Sequence, residues 1–239
     1  MKIKIITPII TDRFNNQVEE EARQFTAPDT EISVENITHG AASIECAYDE
    51  VLNGPDIVKL AVRAEKDGFD AVFIDCFGDP AVEAAREMVT IPVVGGFQPA
   101  VLTACSLCGR FSVITVLPSV VPMVRGLVRK QGITENLASV RYISIAVLDL
   151  DETGVLIDTL VAEAEKAVHD DGAEGLVLGC TGMLGLAQSV EGELAKRGIN
   201  IPVIDPTGAA VGMLQSLVRN SLTHSRLTYH HPPEKERNA

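Results

Sequence analysis

The chain is poor in aromatic residues and in positive charge. Only 4% of its 239 residues are aromatic, and 20 Lys and Arg stand against 33 Asp and Glu, for a formal net charge of −13. A nucleic-acid binder needs a basic footprint, often with aromatic side chains for base stacking, and this composition offers neither. The acidic excess falls on helix-like segments such as Glu19-Glu20-Glu21, as expected of solvated helix faces. No apolar run reaches the roughly 20 residues that a membrane-spanning helix requires. The opening residues, Met1-Lys2-Ile3-Lys4-Ile5-Ile6, are apolar only briefly and lack a signal-peptide cleavage region. They read as the first strand of a soluble, cytoplasmic protein.

A disulfide framework is missing as well. The five cysteines are odd in number and scattered through apolar contexts, which suits free thiols in a reducing compartment. Metal sets are missing: His230-His231 has no carboxylate or cysteine at ligand spacing, and His39 stands in a loop. Gly95-Gly96 lacks the remaining glycines and the Lys or Ser of a phosphate loop, so neither a metal nor a nucleotide cofactor is expected.

What is present is a regular alternation. Strand-like runs at residues 2–7, 32–37, 71–75 and 91–94 alternate with helical patterns at 13–24, 42–51, 55–66 and 79–89. A second series follows, with strands at 111–116, 140–146, 176–178 and 201–204. Its helices are at 119–130, 152–169, after Cys180, and at 207–217. Such alternation implies an α/β architecture with mainly parallel sheets. The second series repeats the first. Residues 66–76 lie on 170–180 without a gap, each ending an Asp-Gly and apolar run in cysteine, and Ile91-Pro92-Val93-Val94 answers Ile201-Pro202-Val203-Ile204. Two similar half-domains follow, which, packed face to face by pseudo-twofold symmetry, would leave a cleft between them. The polar segment 223–239 is expected to be loosely held.

The repeat pairs Asp75-Cys76-Phe77-Gly78 with Gly179-Cys180-Thr181-Gly182. A lone cysteine at a strand end packs inertly as a rule. Two related by symmetry approach one cleft from opposite sides, because ligands in open α/β sheets bind at the carboxyl ends of the strands. That geometry suits proton removal from one face of a stereocentre and proton return to the other. One thiol must ionise near neutrality although a free thiol has a pKa of about 8.5, and a following helix N-terminus would favour the thiolate. Backbone N–H groups at Phe77-Gly78 and Thr181-Gly182 would steady the enolate oxygen. Cys105-Ser106-Leu107-Cys108 has redox spacing but falls in a helix-like apolar segment, and Cys46 reads as core.

The chain resembles the aspartate/glutamate/hydantoin racemase superfamily, and most closely its hydantoin and allantoin racemase branch. The resemblance rests on Ser43-Ile44-Glu45, Cys76-Phe77-Gly78-Asp79-Pro80, Ile91-Pro92-Val93-Val94-Gly95, Arg110-Phe111-Ser112-Val113, Gly179-Cys180-Thr181-Gly182-Met183 and Pro202-Val203-Ile204-Asp205, in family order. It implies two Rossmann-like lobes, 1–98 plus 207–222 and 99–206, with the chain after about Pro206 returning to the first, and a cofactor-free two-base racemase with Cys76 and Cys180 as the acid/base pair, a small-molecule substrate and assembly as a homo-oligomer. Candidate substrate contacts are Pro8, Thr11, Ser43, Phe77, Gly78, Phe97, Thr115, Thr181 and Gly182. The family's asparagine-bearing loop after the first strand is here Thr7-Pro8-Ile9-Ile10-Thr11, its paired threonines are Thr115-Val116, and Gln98 follows Gly95-Gly96-Phe97 where relatives often carry glutamate. Arg13 is the only Lys or Arg near the expected cleft loops, which favours a neutral ring such as a 5-substituted hydantoin or allantoin over aspartate or glutamate. A non-catalytic small-molecule sensor is the remaining alternative.

Overall fold

In a computed structural model, which describes residues 1–150 and 153–236, strand β1 (Lys2–Thr7) lies between β2 (Glu31–Asn36) and β3 (Ala71–Ile74). β4 (Val93–Val94) continues the sheet beyond β3, and every neighbouring pair is parallel. A second parallel sheet holds β5 (Phe111–Thr115), β6 (Leu137–Tyr142), β7 (Gly175–Leu178) and β8 (Val203–Ile204). The orders are β2-β1-β3-β4 and β6-β5-β7-β8, so the strand pattern occurs twice. Both β3 and β7 are buried throughout, as parallel strands covered on two faces must be, which is why they read as continuous apolar runs.

Among the described residues, eight α-helices cover the sheets. α2 (Ala47–Lys66) and α3 (Val82–Met88) bury Ile57, Ala61, Ala64, Val82 and Ala85 against Ile6, Val72 and Ile74 on one face of the first sheet. α1 (Asn15–Phe25) and α8 (Pro206–Arg219) cover its other face, where Val18, Ala22, Ala210, Val211 and Leu214 meet Ile3, Ile5 and Phe73. The second sheet packs with α4 (Phe97–Leu107), α5 (Val121–Gln131), α6 (Thr153–His169) and α7 (Ala187–Lys196). The two sheets thus exchange helices. α4 follows the first sheet and joins the core of the second, α8 follows the second and joins the core of the first, and the two helices pack on each other.

Several local expectations change. The helices expected at 42–51 and 55–66 are one helix, α2, with Pro55 inside it. Pro55 removes one helical donor, but the buried stripe Ile57, Ala61 and Ala64 holds the helix through that point. Asp79-Pro80 does not start a helix: α3 begins at Val82 after a left-handed Ala81 (φ 55°). Cys46 is not core; it is half-buried at the N-cap of α2, with its thiol 3.2 Å from the Asp49 carboxylate. Cys105 and Cys108 lie at the C-terminal end of α4 as free thiols, on the wrong side of a helix for a redox turn. The expected start of α6 at Glu152 and the last residues of the tail lie outside the described residues.

The tail itself is not loose where it is described. The Val93 amide at the edge of β4 donates to His224 Nε2 (2.8 Å), Arg86 donates to the Tyr229 hydroxyl (2.9 Å), and Arg226 donates to the backbone carbonyls of Arg86, Val89 and Tyr229. His224 and Tyr229 rings meet edge to face at 5.6 Å. These side chains cap an otherwise open sheet edge and the end of α3, so a polar segment gains order through hydrogen bonds rather than apolar burial.

Candidate active site

The carboxyl ends of β1, β3, β5 and β7 converge on one enclosed cavity between the sheets. Its volume is about 70 Å³, several times the roughly 10–15 Å³ needed for one water. Thr7 and Pro8 enter from β1, Asp75 to Gly78 from β3, Val116 from β5, and Gly179 to Gly182 from β7. Phe14 and Val18 of α1, Ile44, Val120, Met123, Val147 and Leu184 complete an almost wholly apolar wall. Among the described residues, no Lys, Arg or His lines it. The Glu45 carboxylate accepts from the Val147 amide (2.9 Å) and ties the two halves together at the rim.

Cys76 and Cys180 both line the cavity, each inside a tight turn. The Gly78 amide donates to Cys76 Sγ (3.4 Å), and the Gly182 and Met183 amides face Cys180. A Cβ at Gly78 would come to 2.7 Å from Glu50 Oε1, and one at Gly182 to 3.1 Å from Leu150, so a side chain at either turn would have to displace the Glu50 carboxylate or shift the Leu150 tip. The turns also touch across the cleft: the Thr181 hydroxyl donates to the Asp75 carbonyl (3.1 Å), and the Gly96 amide to the Cys76 carbonyl (3.1 Å).

The thiols do not have the low pKa expected from following helices. α3 begins at Val82 and α7 only at Ala187, so neither cysteine sits at a helix N-terminus. Burial dominates instead. It pushes the Cys76 thiol well above its ordinary value, and pushes Cys180 up to about 12, with the negative charge of Asp75 adding to both. Burial thus favours the protonated thiol at both positions.

Of the sequence-based candidates, Pro8, Phe77, Gly78, Thr181 and Gly182 line the cavity with the cysteines. Phe97 stands behind it, edge to face with Phe77 at 5.5 Å. Thr115 is buried, with its hydroxyl donating to the Gly179 carbonyl (3.1 Å). Thr11 accepts from the Arg13 amide (3.3 Å) outside the wall, and Ser43 gives its place to Ile44. His39 is exposed and bonded to Asp56 (3.1 Å), not to the cavity. Sequence reasoning missed Thr7 and Asp75. Thr7 Oγ1 and Asp75 Oδ1 are buried and have no hydrogen-bond partner among the described residues. Their signal was position: each ends a central strand, where ligands meet an open α/β sheet.

Asp79 has a different task from the one expected. Its carboxylate accepts from the amides of Phe97 (2.8 Å) and Gln98 (3.3 Å), so it caps α4 across the cleft. Gly95 is required beside it, because a Cβ there would lie 2.1 Å from Asp79 Oδ1.

The Asp/Glu/Hydantoin racemase family matches residues 3–214. Hydantoin racemase from Pseudomonas sp. (strain NS671) is 38% identical over 99% of this chain and 94% of its own length. Hydantoin racemase from Paenarthrobacter aurescens is 36% identical over 99% of both chains. Among solved structures, allantoin racemase from Klebsiella pneumoniae superposes with a TM-score of 0.92 at 33% identity, covering 100% of this chain and 96% of that one.

Proposed function

The chain belongs to the Asp/Glu/hydantoin racemase family and is an isomerase of the racemase type, and from that premise we propose that it racemises 5-substituted hydantoins by proton transfer between Cys76 and Cys180. One observation carries the reading: two thiols on equivalent turns of a repeated fold line one apolar cavity whose wall, among the described residues, holds no cation.

A hydantoin is a neutral ring with a carbonyl on each side of its acidic stretch, and its stereocentre bears one hydrogen. One cysteine, as thiolate, takes that proton and leaves an enolate. The other cysteine, as thiol, delivers its proton to the opposite face. The substrate is inverted, and the two sulfurs have exchanged protonation states. An apolar cavity suits this chemistry, because a thiolate whose conjugate acid is weak is a strong base once formed. The Thr7 hydroxyl and the amides of the two glycine turns are the donors we assign to the ring oxygens, where enolate charge develops.

The wall of Phe14, Val18, Val120, Met123 and Leu184 favours an apolar 5-substituent. The ureido group of allantoin would meet few polar partners there, and the carboxylates of aspartate or glutamate would be buried without a counter-ion. Free thiols also agree with work in a reducing compartment. A chiral assay over 5-isobutylhydantoin, allantoin, aspartate and glutamate tests the reading. Fastest racemisation of 5-isobutylhydantoin supports it. Fastest turnover of an acidic amino acid, or none on any of the four, defeats it.

A further inference from the structure

A two-thiol racemase ends each turnover with its proton on the wrong sulfur for the next. The thiols here are half-buried in a cavity with an apolar wall, so resetting them calls for a route that carries protons between the cavity and water. Three carboxyls that the inversion itself does not use are neighbours between the two, Asp75 lining the cavity and Asp205 the groove. Asp75 precedes Cys76, lines the cavity and faces both thiols. Behind it stand Glu21 on α1 and Asp205 at the N-cap of α8, which face Asp75 and each other. On the far side, Asp205 and Gly185 line an open groove of about 720 Å³, between α7, β8 and α8.

The cluster is built for protons rather than for a structural ion pair. Asp75, Glu21 and Thr207 are only 6%, 4% and 1% exposed. Asp75 Oδ1, Glu21 Oε2 and Thr207 Oγ1 are buried without hydrogen-bond partners among the described residues, while Glu21 Oε1 accepts from the Gly185 amide (2.5 Å) and Asp205 Oδ1 from Gly208 (3.0 Å). No Lys, Arg or His is among the groups that act on Glu21, Asp75 or Asp205. Burial raises all three carboxyls, Asp75 to about 7, and the charge of Asp205 adds to the rise at Glu21 and Asp75. Near neutrality such acids both accept and release protons readily, and Glu21 and Asp205 titrate as a pair.

We propose that Asp75, Glu21 and Asp205 form a proton relay that resets the Cys76–Cys180 pair between turnovers. The inference rests on the two-thiol reading above. In the reset, the newly protonated thiol gives its proton to the Asp75 carboxylate, leaving a thiolate and a carboxylic acid. Asp75 exchanges that proton through Glu21 and Asp205 with water in the groove and delivers a solvent proton to the other sulfur. No atom is gained or lost over the cycle.

The test is steady-state kinetics of L-5-isobutylhydantoin racemisation by E21Q and D205N, followed by circular dichroism. Both amides keep the hydrogen-bond acceptors for Gly185 and Gly208 and cannot shuttle a carboxyl proton. At low substrate the reset outruns binding; at saturation it limits the rate. The relay predicts that kcat falls at least about tenfold while kcat/KM falls less than about threefold in each variant. Equal loss in kcat and kcat/KM in both variants would make the cluster a positioning device, and unchanged kcat in both would remove it from the cycle; either overturns the relay. A wild-type protein that racemises no hydantoin would instead defeat the functional reading on which the relay stands.

Discussion

The two halves hold their cysteines in turns of nearly the same build, and they differ at the residue just before each one. Asp75 carries a buried, unpartnered carboxyl oxygen into the cavity, whereas Gly179 has no side chain. A Cβ at Gly179 would lie 2.7 Å from Val113 Cγ1 and 2.9 Å from the Ile114 carbonyl, so the second half has no room for an acid. The threonines that end the first strand of each sheet diverge in the same way. The Thr115 hydroxyl bonds to the Gly179 carbonyl, and the Thr7 hydroxyl at the cavity wall is left without a partner. Duplication supplied two thiols in matching frames; the polar chemistry around them gathers on the first sheet. An inversion needs a base on each face, but a charge store and a ring-binding donor serve both faces from one side.

The largest expected effect comes from what the halves share. Cys76→Ser and Cys180→Ser should each lower racemisation by about 10²–10⁴-fold, measured by circular dichroism with 5-isobutylhydantoin. Equal rates in wild type and either variant would break the pairing. Next come the threonines. Thr7→Val should raise KM or lower kcat by up to about tenfold with little change in urea stability, because only the substrate loses a bond. Thr115→Val should instead cost about 1 kcal/mol of folding stability, because it strips a buried carbonyl of its donor. The reverse result would exchange the roles assigned to the two positions.

Asp75 makes the asymmetry visible in stability. Its folded pKa, about 7, lies above its ordinary 3.8. The folded chain therefore keeps a proton that the unfolded chain gives up, and the contribution is complete below pH 3.8 and lost as the pH rises through about 7. Melting temperature should fall across that window in the wild type and fall less steeply in Asp75→Asn. Identical slopes would contradict it. The smallest effect belongs to the tail. Burial holds His224 down to about 4 from 6.5, with Arg86 and Arg226 adding to the shift. Its neutral ring accepts from the Val93 amide, so this contact persists above pH 6.5 and is lost as the pH falls through about 4. Limited proteolysis within residues 220–236 should be faster at pH 4 than at pH 7, and faster at pH 7 in His224→Ala than in the wild type.

The parts of this account that could be read from sequence were those carried by local pattern. The Asp-Gly to cysteine repeat marks β3 and β7, and apolar runs mark the buried parallel strands. Contacts between distant segments were not legible. Asp79 caps α4 from 18 and 19 residues away, although the local Asp-Pro pair suggests a helix start. The thiols lie before glycine turns that suggested helix dipoles, but the turns run on to Val82 and Ala187, and burial sets the direction of both pKa shifts. The tail is polar, and polarity alone suggested looseness; Arg226 and His224 find carbonyls and an edge amide that only the folded first sheet presents. Thr7 and Asp75 differ from these. Their positions at the ends of central strands were visible, and what the sequence did not show was that their polar atoms are left unpaired.

Deuterium incorporation tests the central claim most directly. L-5-isobutylhydantoin is incubated with enzyme in D₂O to low conversion, and the two enantiomers are separated and weighed by mass spectrometry. Two thiols on opposite faces predict deuterium in the D product and protium in the recovered L substrate. Deuterium in both enantiomers from the first turnovers would mean that one base serves both faces, and the paired roles of Cys76 and Cys180 would fall.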